Sequence, residues 1–547
     1  MGHDQRDVPL ITRNTSFILL VLLTAVATAT ADRDASHTRC GFGHQRNPQH
    51  VQRLHQGLAS VNPRPVLPFY ADAQSGRFRV HFTRTGIDAV PSLDVNGNGL
   101  EDYVEETIRA LDSAYHVEVD VLGYAPPPSD LDSGGSDALD IYLRNLSFER
   151  ETGVYGVTRL ETLSPNPDRW DTYTTFIEID NDFSPTDRNR YDSLVYKQTS
   201  GLEALRVTCV HELHHAIQCG TYGFTGVEFM VYEMTSTWME QRVYPDVLDW
   251  HLHTSSLLRQ PSLYAFSRDD AFAGYAWGWF GWVLHRQSDT LLRHAWHRIA
   301  TGERPFTALV EACRDAGTSL SALFCDALPV LFQTGARGEA NPILAGATAL
   351  PEIRYSVDEL AEPPSVSIGN SIDPFGINAL RFMIPGTAGS PVSTSLLVTV
   401  PDETALTERI TRDISYNVLV TSSPLPSDLF VQGSSWSIRL DPADRLCTFI
   451  SGQRTQRIEG PYPQPFVGGT DDALRFPVLS AKPGDKVSLR VRGVGYGQPT
   501  AFEATVELDD DRLVIAWYGA ASLGTGIYLV EINHGTTTTV HKVAIRR

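Results

Sequence analysis

The chain has 547 residues, 42% of them hydrophobic and 20% charged, an ordinary globular composition that excludes both a single small domain and a disordered chain. Asp and Glu outnumber Lys and Arg by 65 to 45, for a formal charge of −20. A phosphate backbone asks for a basic face, so no nucleic-acid partner is expected; an acidic surface suits an exported protein or one that holds cations. At the N-terminus, Arg13 precedes the apolar run Phe17–Ala27, about half of the ~20 residues a membrane span needs. Ala29-Thr30-Ala31 then offers a small-residue cleavage site, so residues 1–31 are expected to be a signal peptide and the mature protein secreted or held at the cell surface. No later stretch reads as a stable membrane span.

Residues 32–78 are polar and weakly patterned and read as a propeptide-like segment, with one helix expected over Asn47–Ala59. Phe78–Thr83 alternates as a strand, and Glu101–Tyr115 reads as a helix. Leu139–Leu143, Val154–Arg159 and Thr174–Asp180 read as strands, then Leu202–Cys219 and Val231–Val243 as helices. From there to Thr334 the segments are helical and aromatic-rich, as in Tyr275–His285. Residues 79–335 are thus expected to form one α+β unit: a mixed sheet, a central helix and then a helical subdomain. Past Gly335, Pro, Ser, Thr and Val rise, and short alternating runs at Ala379–Ile384, Ser395–Val400, Asn417–Thr421 and Ser437–Leu440 predict a β-sandwich over residues 360–455. The Pro-rich joint Glu459–Phe466 leads to a second β region, residues 460–547, with strands at Val487–Val491, Phe502–Leu508, Leu513–Trp517, Ile527–Ile532 and Thr539–Ile545.

The most specific signal is His211-Glu212-Leu213-His214-His215, an HExxH motif. On a helix, residues i and i+4 share a face, so His211 and His215 can reach one ion. Zinc takes imidazole nitrogen and keeps a position open in catalytic sites. Glu212 lies beside that face, where it can take a proton from a water activated there. Pairing His211 with His214 instead would give up that placing of Glu212, so His214 is read as a neighbour. No histidine occurs in Ala216–Gly220, and the third ligand is expected from a Glu on the next helix. Glu233 and Glu240 share a face but stand about 10 Å apart along the axis, so only one reaches the ion. Glu233, separated from His215 by 17 residues, is preferred to Glu240, separated by 24; Glu228 is a more remote choice.

HELHHAIQCG followed by YEMTSTWMEQRVYPD resembles the gluzincin metallopeptidases, in which a Glu-led helix completes the zinc site. The order DVNGNGLEDYVEE, HELHH and that helix, over residues 78–335, is similar to a family of secreted bacterial metallopeptidases. The resemblance implies a zincin-like catalytic unit and zinc-dependent hydrolysis of peptide bonds, with peptide or protein substrates and Glu212 as general base. It also implies a Tyr or His from the helical half that stabilises the oxyanion. Tyr275 stands first, beside Tyr264, His251 and His253, among which no spacing rule decides. An extended peptide is expected along an edge strand, Val154–Arg159. The alternative is a non-enzymatic surface or adhesion protein with a relict metal site, and a third reading is a zinc hydrolase of other bonds.

Asp94–Glu105 matches the EF-hand calcium loop, with oxygen ligands at Asp94, Asn96, Asn98, Asp102 and Glu105, the carbonyl of Leu100, and Gly99 at the sharp turn. An Asx-rich turn before a helix is the plainer alternative. Asp137, Asp140, Asp180 and Asp182 carry no motif and read as solvated loop carboxylates. Cys313 and Cys325 flank a turn and are expected to form a local disulfide; Cys209 and Cys219, about 15 Å apart on one helix, cannot pair with each other. Arg39-Cys40-Gly41 resembles the cysteine-switch segment of matrix metalloproteases, though a disulfide from Cys40 to Cys209, Cys219 or Cys447 is the plainer expectation. PYPQPF at the start of residues 461–547, Gly526–Ile532 and the basic end Lys542–Arg547 resemble the C-terminal sorting domains of type IX secretion cargo. That resemblance implies an Ig-like sandwich and an export machinery as partner; an ordinary surface-binding sandwich is the rival.

Overall fold

The computed structural model describes residues 40–42 and 62–547, the latter with short gaps of which 422–431 is the longest. The expected signal peptide and the helix at Asn47–Ala59 lie outside the described residues.

Strands β1 (Phe69–Asp72), β2 (Phe78–Phe82), β3 (Leu139–Arg144), β4 (Gly156–Leu163) and β5 (Tyr173–Asp180) form one mixed sheet in the order β1-β2-β3-β5-β4. β2, β3 and β5 run parallel, while β1 and β4 are antiparallel to their neighbours, so β4 is an edge. All eight residues of β5 are buried, the polar side chains of Thr174, Thr175, Glu178 and Asp180 included. Through β1 the sheet reaches back into the segment read as propeptide-like.

Helix α1 (Asp102–Tyr115), α2 (Gly201–Ile217) and α3 (Phe229–Val243) follow. α2 packs against α1, α3, β4 and β5 and is buried on nearly every face, so it has no amphipathic stripe. Six shorter helices complete the helical half: α4 (His251–Arg259), α5 (Ala271–Trp277), α6 (Phe280–Gln287), α7 (Leu291–Ile299), α8 (Pro305–Asp315) and α9 (Leu320–Phe332). The run Tyr275–His285, read as helical, is divided between α5 and α6 at Gly278 and Trp279. Among the described residues no single helix is long and apolar enough to cross a membrane.

The middle region holds two sheets. β7 (Ser365–Ile372), β10 (Ile414–Thr421), β11 (Gln432–Gly433) and β12 (Trp436–Asp441) form one, and β6 (Val357–Leu360), β8 (Ile377–Ile384), β9 (Val392–Thr399), β13 (Leu446–Ile450) and β14 (Gln456–Ile458) the other. Phe375, Ile377, Ala379 and Leu397 share one apolar core with the helices, so this region is packed onto the helical half. The C-terminal strands, from Phe466–Val467 to Thr537–Arg546, are hydrogen-bonded into a single seven-stranded sheet rather than two separate ones, around its own core of residues such as Phe476, Leu489, Trp517 and Val530.

Two cysteine expectations are corrected. Cys325 is disulfide-bonded, but not to Cys313, which is a buried free thiol pushed by burial up to about 12. The helices carrying the two diverge by 91°, which turns them apart. Cys40, Cys209 and Cys219 are also free thiols, so Cys40 forms no disulfide.

Candidate metal centre

Buried α2 carries His211, Glu212, His214 and His215, and α3 presents Glu233 to the same point. The ligand atoms of His211, His215, Glu233 and Cys40 all lie within 4.8 Å of one another, and all four residues are buried. His211 Nε2 is 3.1 Å from His215 Nε2 and 3.1 Å from Glu233 Oε2, and His215 Nε2 is 3.4 Å from that same oxygen. This group could hold a metal ion. Its N, N, O and S donors are the kinds that zinc takes.

The outer nitrogens of both rings are fixed. His211 Nδ1 lies 2.6 Å from Glu240 Oε1, so Glu240 orients the ring from behind, and it is Glu233 that faces Nε2. His215 Nδ1 lies 2.7 Å from Gln218 Oε1. The Gln218 amide group donates to the Tyr232 carbonyl and to Thr235, which turns its oxygen toward His215. His215 Nδ1 is thus held by Gln218, and Nε2 is the nitrogen turned toward the cluster.

Burial works against a charge on His211, but its hydrogen bonds to Glu233 and Glu240 outweigh this and raise its pKa to about 10. Burial likewise opposes the Glu233 carboxylate, but the charge of His215 and hydrogen bonds from both histidines hold it down to about 2.

Glu212 is fully buried beside this cluster. The Thr158 hydroxyl lies 2.8 Å from Glu212 Oε2, while among the described residues Oε1 meets no hydrogen-bond partner. Among the described residues Glu233 Oε1 meets none either. A buried carboxylate oxygen without a donor is costly unless something else is meant to meet it. Two glycines permit these approaches. A Cβ on Gly156 would stand 2.8 Å from Glu212 Cγ, and one on Gly274 would stand 2.5 Å from Glu233 Cβ.

The cluster opens on a cavity lined by Glu212, Glu240, Trp250, His253 and Tyr275, among others. The Tyr275 hydroxyl accepts a hydrogen bond from the Cys40 backbone N–H at 3.2 Å. Burial, with Glu233 close by, holds its pKa well above the usual phenol value, so it stays an O–H donor. The His253 and Tyr275 rings are 4.7 Å apart. Tyr264 and His251 do not line the cavity; His251 Nε2 faces the Ala345 carbonyl at 2.8 Å.

His214 points elsewhere. Its Nδ1 is 2.7 Å from Glu118 Oε2, and burial moves both groups toward their neutral forms: His214 well down, Glu118 well up. Glu228 starts α3 in the left-handed region, at φ 58°, and binds Arg304 and the Phe306 N–H, away from the cluster.

Asp94–Gly99 is a tight, largely exposed turn that leads into α1. Asp94 accepts from the N–H groups of Gly97, Asn98 and Gly99. The side-chain amides of Asn96 and Asn98 lie 2.9 and 2.7 Å from the Glu105 carboxylate. Asp102 instead accepts from Val95 N–H, and the Leu100 N–H is held by Asn98. A second acidic group, Asp180, Asp182 and Asp187, also converges within 4.8 Å. Asp180 is no solvated loop residue: it is buried, is raised to about 6 by that burial, and ties down the Leu146 and Phe183 N–H groups. Asp140 is buried as well, paired with Arg64 and His81.

Thr158 and Gln218 were missed in the sequence. Gln218, at i+3 from His215, was legible by helical spacing; Thr158 arrives from a different element and left no local signal. Comparisons of the chain with protein families, with curated proteins and with solved structures found no match.

Proposed function

We propose that the chain is a secreted zinc-dependent endopeptidase of zincin-like, gluzincin type, with His211, His215 and Glu233 as the zinc ligands. The observation that carries this is the convergence of those three side chains on one buried point, with Glu212 alongside and the rear nitrogen of each ring already held. Bound zinc would supply Lewis acidity, polarising a carbonyl and lowering the pKa of a water to about 7.

The chain's own residues supply the rest. Thr158 anchors one oxygen of Glu212, leaving Oε1 to take a proton from the attacking water and return it to the departing amine. The Tyr275 O–H is placed to donate to a developing oxyanion. The β4 edge offers backbone pairing to an extended peptide; the bridge between Cys40 and Gly156 is one such pairing, beside Glu212. That edge favours a peptide over other hydrolysable substrates. The proposal takes the enzyme as acting outside the cell, with an export machinery as partner, on the sequence patterns of residues 1–31 and 461–547.

The test is incubation of the purified chain with an unfolded polypeptide under conditions that release Cys40, as argued below. New peptide termini, suppressed by a chelator and restored by zinc, support the reading. Bound zinc with intact substrate throughout favours the binding protein with a relict site.

Calcium at Asp94–Glu105 belongs to the same proposal, as a structural ion joining the end of β2 to α1. Asn96 and Asn98 already stand against Glu105, and turning their amides presents oxygen instead of nitrogen. Calcium is expected to raise the melting temperature of the wild type, and Asp94→Ala with Glu105→Ala to abolish the rise. A wild type indifferent to calcium would leave the loop as a helix-capping turn.

A further inference from the structure

Residues 40–42 are more deeply fixed than a leader strand needs to be. Cys40 is 3% exposed and Phe42 is 0% exposed. Cys40 forms a parallel bridge with Gly156 on the β4 edge. Gly41 follows against Val157, where a Cβ would stand 2.8 Å from the valine Cβ, so a side chain there would force the segment off the edge. Phe42 stacks on the His215 ring, centroids 4.2 Å apart and planes 19° from parallel, and meets Phe224, Phe229 and Tyr232 on its other sides. The Phe42 N–H donates to Cys40 Sγ at 3.2 Å, which fixes the sulfur's direction.

Three requirements of a substrate are met at once by these three residues. Their backbone takes the β4 edge, the Cys40 N–H takes the Tyr275 hydroxyl, and the sulfur stands among the ligand atoms where a fourth donor belongs. The unpartnered oxygens of Glu212 and Glu233 border the same space. A buried sulfur held by its own chain within 4.8 Å of two imidazoles and a carboxylate stands where a metal ligand would stand.

Resting on the zinc reading above, we infer that Cys40 Sγ is the fourth ligand of the metal and that residues 40–42 hold the enzyme latent by filling its peptide site. On binding, the thiol gives its proton to solvent and a sulfur–metal bond forms. On activation that bond breaks, a proton returns to the sulfur, and water takes the vacated position. No oxidant or reductant is involved.

Cobalt(II) in place of zinc gives a readout independent of activity. The cobalt-loaded full chain should show a near-ultraviolet sulfur-to-cobalt charge-transfer band. Cys40→Ser and Cys40→Ala should lack it while keeping the visible cobalt bands of the remaining ligands. The zinc-loaded full-length wild type should cleave an unfolded polypeptide about 100-fold more slowly than Cys40→Ser, the ratio expected if the segment is released about 1% of the time. No sulfur band in the wild type, or a wild type that cleaves as fast as active variants, would overturn the inference and leave Cys40 as a core cysteine. A sulfur band with every form inactive would uphold Cys40 as a ligand while removing the peptidase reading, so the two failures are distinct.

Discussion

Glu212→Gln, made in a Cys40→Ser chain so that latency does not mask it, is expected to keep its zinc and lose about 10²–10⁴-fold in kcat. The substitution keeps the shape and the burial, and the amide can still accept from Thr158. An amide cannot take the proton of the attacking water, which is the whole of the role assigned to the free oxygen. KM should change little, because Glu212 is not one of the groups along the β4 edge that would hold a peptide. A zinc-loaded variant as active as its parent would remove Glu212 as base and with it the proposed mechanism.

Glu233→Ala is expected to lose the metal outright, whereas Glu240→Ala should weaken binding about 10–100-fold, the usual range for a group that orients a ligand from behind. The two carboxylates lie on the same helix and both reach His211, so bulk charge does not separate them. Geometry does: Glu233 faces Nε2 of both rings, and Glu240 faces only Nδ1 of one. Both variants bury an altered polar site, so each should first be shown to fold, by circular dichroism, before its zinc is measured by dialysis. Zinc retained by Glu233→Ala and lost by Glu240→Ala would exchange the two roles.

Which parts of this were legible in the sequence follows from how local the signals are. HExxH is one helical turn, and its two histidines had to share a face once α2 formed. Glu233 was reachable because the connection to α3 is short and a second helical run was plain. The buried strands β3 and β5 were legible from short stretches of β-branched, aromatic and aliphatic residues, Ile141–Leu143 and Thr174–Ile177. β1 did not: its residues are mostly exposed, and only the pairing of Phe69–Asp72 with β2 makes it a strand. β7, the run SVSIGNSI, is small, polar and interrupted by glycine, and it is defined by eight paired residues of β10 that lie more than forty positions on. Thr158 meets Glu212 from 54 residues away. Cys40 is the clearest case. Three residues of sequence allowed either a disulfide or a metal ligand, and only the fold, by bringing β4 and α2 together, excludes the first and puts the sulfur among the ligand atoms.

The metal site stands on its own geometry and can be tested by itself.

X-ray absorption at the zinc edge, on the full chain loaded with one equivalent of zinc, reads that site most directly. The account predicts a four-coordinate shell with two imidazole nitrogens and a carboxylate oxygen at about 2.0–2.2 Å and one sulfur at about 2.3 Å, the sulfur alone vanishing in Cys40→Ser. Zinc that washes out on dialysis, or a shell without imidazole scattering, would contradict it.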